Sequence, residues 1–186
     1  MITRCETDNN PDRIPNDIGN LRAGIDKSDD ELPHLVVHTK NVQEKNLPKI
    51  YSMSDAFVLI SRGEGFGLPY LEAAACGLPI IGSNCSGQSD FLKKENSFLV
   101  DPDEMSEVKT NGNMSKLAKH CGFYEGQVFP NFGTVGIKKT RELMREVYEN
   151  YENSLNKAQL LTDLTHDEYS WDMAVDRVLK RIKEIV

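Results

Sequence analysis

One continuous stretch decides the fold: residues 56–81 read AFVLISRGEGFGLPYLEAAACGLPII. The apolar run at 56–60 has the length and composition of a buried strand. A glycine-rich turn follows at 63–67. Pro69 stands near the start of a predicted helix, because proline is tolerated in a first helical turn. Gly77 suits the end of that helix, since glycine accepts left-handed torsions.

Working outward, the same alternation of strands and helices continues on both sides. Further buried strands are predicted at residues 35–38, 79–82 and 97–100. Helices are predicted at residues 47–53, at 134–161 as one helix or two, and from Trp171 onward with Ser170 as N-cap. Strands that alternate with helices indicate crossover connections, so we predict an α/β fold with a parallel sheet and helices on both faces. Trp171 lies on an apolar stripe and is expected in the core.

The domain organisation follows from the residue at which the alternation of strands and helices begins. Residues 1–33 are polar and rich in Asp and Asn, and they predict a leader that is loop or poorly ordered, with a short helix near residues 21–25. Residues 34–186 predict one folded domain that ends in helices.

Composition and charge exclude several classes of function. The formal net charge of -7 argues against a nucleic-acid surface or an anionic-membrane surface. The four cysteines have no metal-ligand spacing, which predicts free thiols in a reducing, cytoplasmic compartment and no metal site. No apolar run is long enough to span a membrane, and the first residues lack the apolar segment of a signal peptide.

The glycine turn suits a phosphate ligand. Ligands of parallel α/β sheets bind beyond the carboxyl ends of the strands, and a helix N-terminus offers unpaired N–H groups there. Glu64 can accept hydrogen bonds from sugar hydroxyls, and Glu72, about two turns into the predicted helix, can bind a ribose. Spacing alone equally allows a helix-dipole partner at Glu64 and a solvated residue at Glu72. Arg62 is expected to be a surface charge, with phosphate contact as the alternative.

The motif resembles the glutamate-seven-residues-glutamate motif of retaining glycosyltransferases with the two-domain GT-B fold, especially family 4, the glycosyl transferases group 1. The agreement covers Ser61, residues 64–69, Glu72, Ala73, Ala75, Gly77 and residues 79–81. The flanking segments at residues 46–56, 83–92, 96–100 and 169–172 are similar to the family as well. The resemblance implies a Rossmann-like domain that forms the C-terminal half of a GT-B fold and is incomplete at its N-terminus.

The resemblance also implies roles for individual residues. Glu64 would be the catalytic residue that contacts hydroxyls of the transferred sugar, and Glu72 would bind the nucleotide ribose. Backbone amides of Gly65, Phe66, Gly67 and Leu68 would hold the sugar and the diphosphate. The loop at 38–42, with Asn41 and Val42, would border the base. No cofactor or metal is implied, because the nucleotide diphosphate sugar is itself the donor substrate.

The implied function is transfer of a sugar from a nucleotide diphosphate sugar to an unknown acceptor, which could be a glycan, a lipid or a protein. Enzymes of the family pair this donor domain with an N-terminal acceptor domain, for which the sequence offers no candidate. The family's arginine and lysine that grip the diphosphate also find no matching context. A non-catalytic nucleotide-sugar-binding fragment or partner subunit therefore remains an alternative, as does an α/β protein that binds another phosphate ligand.

Overall fold

The computed structural model of the chain describes residues 13–37, 42–107 and 126–185. The described residues form two compact units. The first unit takes residues 13–37, 42–44 and 126, and the second takes residues 45–107 and 127–185. The predicted boundary between a leader and a domain at residue 34 stays a prediction.

The first unit begins with helix α1, Arg13–Ala23, and continues to a turn of 3-10 helix at Asp29–Glu31. The helix expected near residues 21–25 therefore lies farther upstream and ends at Ala23. The carboxylate of Glu31 accepts hydrogen bonds from the backbone N–H of Ser28 at 3.0 Å and from its hydroxyl at 2.9 Å. The backbone hydrogen bond, followed by the hydroxyl, lowers the pKa of Glu31.

The buried strand predicted at residues 35–38 is wrong over its described part. Residues 35–37 have no regular secondary structure, and Leu35 and Val36 are 39% and 60% exposed. Apolar and β-branched residues favour a strand only where a neighbouring strand and a covering layer receive them. The described part of the first unit contains no strand with which this run could pair.

The second unit is built on a parallel sheet of three strands, which confirms the predicted α/β class. Strands β1 (Phe57–Leu59), β2 (Ile80–Ser83) and β3 (Phe98–Val100) lie in the order β1-β2-β3. Phe57 is in register with Ile80, and Ile81 is in register with Phe98. All three strands therefore end at the same edge of the sheet.

Helices cover both faces of this sheet, as predicted. Ile80 and Ile81 are adjacent in β2, so their side chains point to opposite faces. Ile80 packs in a cluster with residues of helix α3, Leu68–Ala75, and with Leu161. Ile81 packs in a second cluster with Leu143 and Val147.

Helix α3 has the local signals expected from its sequence. It follows Gly67, which adopts a left-handed conformation with φ of 93°, and Pro69 occupies its first turn. At the other end, the N–H of Gly77 donates to Ala74 and the N–H of Leu78 donates to Ala73. This pair of bonds with a left-handed glycine, φ 79°, is the Schellman arrangement that ends helices. A short helix α2, Leu47–Tyr51, precedes β1.

An antiparallel hairpin that the sequence did not indicate follows the sheet. Strand β4, Glu104–Glu107, pairs with strand β5, Val128–Asn131. Two acidic residues in β4 and Pro130 in β5 are unusual in strands, which hides the hairpin from pattern analysis. Residues 114–121, whose sequence could hold a helix, lie outside the described residues.

The C-terminal part forms three helices, which settles the choice between one helix and two. Helix α4 runs over Thr134–Glu149, helix α5 over Tyr151–Glu168, and helix α6 over Trp171–Ile185. Asn150 separates the first two. The hydroxyl of Ser170 accepts a hydrogen bond from the N–H of Met173 at 3.3 Å, which confirms the predicted N-cap of α6.

Trp171 is not in the core, contrary to the prediction. Its side chain is 83% exposed, and α6 has no buried residue. The sequence of α6 carries the expected apolar stripe, but none of its residues belongs to the two core clusters. Among the described helices, none is long and apolar enough to cross a lipid bilayer.

Candidate functional site

The candidate site lies where β1 ends and α3 begins, in residues 63–68, which we call the glycine corner. The turn at residues 86–88 packs directly on this corner. The N–H of Gly87 donates to the carbonyl of Glu64 at 3.2 Å, and a Cβ on Gly87 would lie 2.3 Å from the carbonyl oxygen of Gly65. Glycine at position 87 therefore allows the two turns to touch.

The glycine corner presents consecutive backbone donors. Within the described residues, the N–H groups of residues 65–68 donate to no protein acceptor. These groups lie at the N-terminus of α3, where the helix dipole adds partial positive charge. Such a row of amides suits the oxygens of a phosphate group.

The side chain of Phe66 packs against other aromatic rings, while its backbone N–H belongs to the row of unpaired amides. Its ring packs against Phe91 with centroids 5.6 Å apart and against Tyr169 at 6.0 Å. Phe91 and Tyr169 also pack against each other at 5.5 Å. This aromatic cluster anchors the corner, so Phe66 is placed to offer its amide to a ligand while its ring holds the turn.

Glu64 is half-buried at the carboxyl end of the sheet. Burial is the main cause that raises the pKa of Tyr70, and the negative charge of Glu64 raises it further, while hydrogen bonds from Ser83 lower it. The burial of Tyr70 and the negative charge of Glu64 thus both favour the neutral phenol.

Glu72 is exposed and is the fifth residue of α3, about one turn from the N-terminus of the helix. The sequence placed it two turns in, which is wrong because residues 64–67 are not helical. Its Oε2 accepts a hydrogen bond from the hydroxyl of Tyr51 at 2.9 Å. Burial first, and then this bond and the charge of Glu72, raise the pKa of Tyr51. Sequence reasoning missed Tyr51 as the hydrogen-bond partner of Glu72.

The remaining predicted site residues, Asn41 and Val42, are not placed at the glycine corner by the described structure. Asn41 lies outside the described residues, together with residues 38–40. Val42 is described, has no regular secondary structure and belongs to the first unit. The predicted contact of this loop with a base stays a prediction.

A buried network of hydrogen bonds joins Tyr70, Ser83 and Gln88 next to the glycine corner. The hydroxyl of Tyr70 donates to the carbonyl of Leu59 at 2.7 Å and lies 3.4 Å from the hydroxyl of Ser83. The amide nitrogen of Gln88 donates to the hydroxyl of Ser83 at 2.8 Å and to its carbonyl at 3.2 Å. The carboxamide oxygen of Gln88 is buried without a partner in the described part of the chain. A serine within an apolar strand was the one sequence signal for this network.

Arg62 is exposed, as predicted, but it is also anchored. Its Nε donates to the carbonyl of Pro130 in β5 at 2.8 Å. Among the described residues, no group of three His, Cys, Asp or Glu side chains is arranged to hold a metal ion.

The fold and the corner together define a class of protein. A parallel sheet with helices on both faces, and a glycine turn with unpaired amides at its carboxyl edge, define a Rossmann-like ligand-binding domain. Residues 27–111 match the family model of glycosyl transferases group 1. The resemblance identified from the motif is thereby confirmed for this part of the chain.

Individual relatives agree with the family match. The chain is 33% identical over 70 residues to O-antigen chain mannosyltransferase B of Escherichia coli, covering 38% of this chain and 18% of that protein. It is 30% identical over 91 residues to a GDP-mannose-dependent phosphatidylinositol monomannoside mannosyltransferase of Mycolicibacterium smegmatis, covering 45% of this chain and 24% of the relative. The matches therefore span less than a quarter of the length of these relatives.

Solved structures share the fold. Anabaena Alr3699/HepE in complex with UDP and glucose superposes with a TM-score of 0.56 at 14% identity, over 80% of this chain and 32% of that chain. The C-terminal domain of the group 1 family protein LpcC of Francisella tularensis gives a TM-score of 0.55 at 19% identity, over 86% and 63%. The chain therefore has the architecture of one domain of a GT-B glycosyltransferase.

Proposed function

We propose that the chain is the donor-binding domain of a retaining glycosyltransferase. One observation carries the proposal: a row of unpaired amides at the start of α3 lies between Glu64 and Glu72 in the sequence, inside the segment that matches the family. Amides suit the diphosphate, and carboxylates suit the hydroxyls of two sugars.

The ribose end of the site involves Glu72 and Tyr51. The hydroxyl of Tyr51 donates to Oε2 of Glu72 and holds the carboxylate in one orientation. The other carboxylate oxygen can then accept hydrogen bonds from ribose hydroxyls. Tyr51 is thus a positioning residue, and Glu72 is the residue that touches the nucleotide.

The sugar end of the site involves Glu64. Its carboxylate would accept hydrogen bonds from hydroxyls of the transferred sugar and fix the anomeric carbon. In the reaction, the bond from that carbon to the diphosphate breaks, and a bond to the acceptor oxygen forms on the same face. The acceptor proton passes to the leaving diphosphate, whose charge is stabilised by the amides of the glycine corner. No cofactor or metal enters this scheme.

The proposal names the acceptor and the acceptor-binding domain only by class. Relatives act on acceptors as different as a phosphatidylinositol mannoside and a peptide. A longer glycosyltransferase would supply the acceptor site from an N-terminal domain or from a partner subunit. The second candidate function is binding of nucleotide sugar without turnover, because the family's diphosphate-gripping arginine and lysine find no matching context in the sequence.

Nucleotide binding tests the donor site. We expect the full chain to bind UDP or GDP in ligand-detected NMR and isothermal titration calorimetry. Glu72→Ala should weaken binding about tenfold, because a charge-assisted hydrogen bond is lost. Glu146→Ala, an exposed glutamate on α4, is the matched control and should bind as the unmodified chain does. Equal affinities for both variants would remove the ribose role from Glu72.

Donor turnover separates the two candidate functions. We expect slow release of free sugar from the matching nucleotide sugar, measured by chromatography, and loss of this release in Glu64→Ala with a milder loss of binding. Binding without any hydrolysis across UDP-sugars and GDP-sugars would instead establish the non-catalytic function.

A further inference from the structure

A cavity lies on the α4 side of the sheet, beyond the end of β1. It has a volume of about 390 Å³ and lies within the second unit. That volume is within the range of small-molecule sites. Its apolar wall is formed by Ile60, Phe132 and Ile137.

Two arginines, Arg62 and Arg141, line this cavity. Arg62 is held in place through its Nε by the carbonyl of Pro130 at 2.8 Å, which leaves the terminal nitrogens of its guanidinium for another acceptor. Within the described residues, neither arginine forms a salt bridge, although other arginines of the second unit do. Two guanidinium groups therefore line one cavity, each without a described carboxylate partner, in a chain whose net charge is -7.

Two carboxylates of the neighbouring hairpin segment, Asp103 and Glu104, have other partners. Asp103 accepts hydrogen bonds from the backbone N–H groups of Val135 and Gly136, at 3.0 and 2.6 Å, and so caps the start of α4. Glu104 accepts from the side chains of Ser106 and Asn131, at 3.2 and 3.1 Å. Neither acidic residue lines the cavity. Among its described lining residues, the cavity therefore carries two positive charges and no negative one.

We propose that this cavity is a binding site for a small organic anion with an apolar body, a phosphate monoester or a carboxylate. The guanidinium groups of Arg62 and Arg141 take the anionic group, because their planar donors match two oxygens at once. The apolar wall takes the body of the ligand. The hydroxyl of Thr140, which donates to the carbonyl of Gly136 at 2.8 Å, keeps its lone pairs for a ligand donor.

This site goes beyond the proposed function and does not rest on it. The glycine corner uses backbone amides at the start of α3, which packs in the core cluster of the opposite face of the sheet. The cavity uses side chains from β1's end and from α4. A chain that fails to bind nucleotide could still bind an anion here, and the reverse also holds.

Titration with phenyl phosphate and benzoate tests the site and separates the two anion classes. We expect amide chemical shifts of Ile137 and Thr140 to move in ¹⁵N-resolved NMR with at least one probe, and binding to weaken as sodium chloride is added. Arg141→Ala should weaken binding about tenfold. Arg145→Ala is the matched control, because Arg145 lies one turn further along α4 and pairs with Glu149.

A second arginine variant and a competition experiment with UDP complete the test. Arg62→Ala should weaken binding as Arg141→Ala does, and circular dichroism checks that its lost bond to Pro130 has not unfolded the hairpin. Binding should persist in Glu72→Ala and in saturating UDP. Equal affinities of Arg141→Ala and Arg145→Ala would overturn the proposal. Displacement by UDP would also overturn it, since the arginines would then serve the donor diphosphate.

Discussion

The hydroxyl of Tyr51 ties α2 to α3 through the carboxylate of Glu72. Burial and the neighbouring negative charge raise the pKa of Tyr51 above its ordinary value of 10.0. In the unfolded chain the phenol loses its proton near that ordinary value, while the folded chain retains it to higher pH. The contribution of Tyr51 to stability is therefore complete below pH 10 and falls as the pH rises further.

Tyr51→Phe tests this link. We expect a loss of about 0.5–1.5 kcal/mol in the free energy of unfolding at neutral pH, since one hydrogen bond is removed. Urea denaturation at several pH values measures it, and the difference from the unmodified chain should shrink above about pH 10. Nucleotide affinity should fall less than in Glu72→Ala. A difference that grows at alkaline pH would contradict this account.

Substitutions at Gly67 and Gly65, in the same turn, should affect different properties: the first the stability of the fold, and the second the binding of ligand. A Cβ at Gly67, where φ is 93°, would lie 3.0 Å from the Tyr70 ring and 3.2 Å from Cβ of Gln88. Gly67→Ala should therefore cost about 1–2 kcal/mol of unfolding free energy. A Cβ at Gly65 meets nothing within 4 Å, so Gly65→Ala should unfold as the unmodified chain does but bind nucleotide sugar more weakly. Equal destabilisation of both variants in urea would refute the distinction.

The sequence predicted those residues of the candidate site whose effect is confined to their own backbone. Gly67, Pro69 and Gly77 could be placed from sequence because their effects act on their own backbone torsions. Tyr51 and Gln88 could not, because their partners lie 21 and 5 residues away and are brought near only by the fold. The family roles of Glu64 and Glu72 came from resemblance and stay predictions.

At the scale of elements, α5 secures α3 over the sheet. Leu161 of α5 is fully buried in the cluster that holds Tyr70 and Ile80. The hydroxyl of Thr162 donates to the carbonyl of Ala74 at 2.8 Å and adds a polar contact between the two helices. Because α3 begins at the glycine corner, this packing also fixes the position of the corner.

Leu161→Ala should destabilise the second unit by about 2–5 kcal/mol through the cavity left in the core. Leu160→Ala, one position earlier in the same helix and 55% exposed, is the control and should cost less than about 0.5 kcal/mol. Thermal unfolding followed by circular dichroism at 222 nm measures both. Similar losses in the two variants would show that α5 does not pack as described.

Elements with a strong local pattern were predicted well. Strands β1, β2 and β3 and helix α3 lie within one or two residues of their predicted positions, because buried apolar runs bounded by glycine and proline carry the signal. The hairpin of β4 and β5 was missed, since a polar strand and an internal proline resemble loop. The strand expected at residues 35–38 failed for the opposite reason, an apolar run without a pairing partner among the described residues.

At the scale of the whole molecule, the exposed stripe of α6 gives a direct optical test. The chain has one tryptophan, Trp171, and its side chain is 83% exposed. We expect red-shifted emission and efficient quenching by acrylamide in the purified 186-residue chain. Trp171→Phe should remove the signal and leave the unfolding free energy nearly unchanged, as for other exposed positions. Blue-shifted, poorly quenched emission would show that other protein surface covers α6.

Strand β1 stands at one margin of the three-stranded sheet, and among the described residues it hydrogen-bonds to β2 alone. The other edge of β1 pairs with no strand in the described part of the chain, so its main-chain donors and acceptors are a template for another extended segment. A segment running in the same direction must arrive through a crossover of about a dozen residues or more, so no tight turn can deliver it. A fourth parallel strand beside β1 therefore has to come from a stretch of polypeptide that is distant in the sequence.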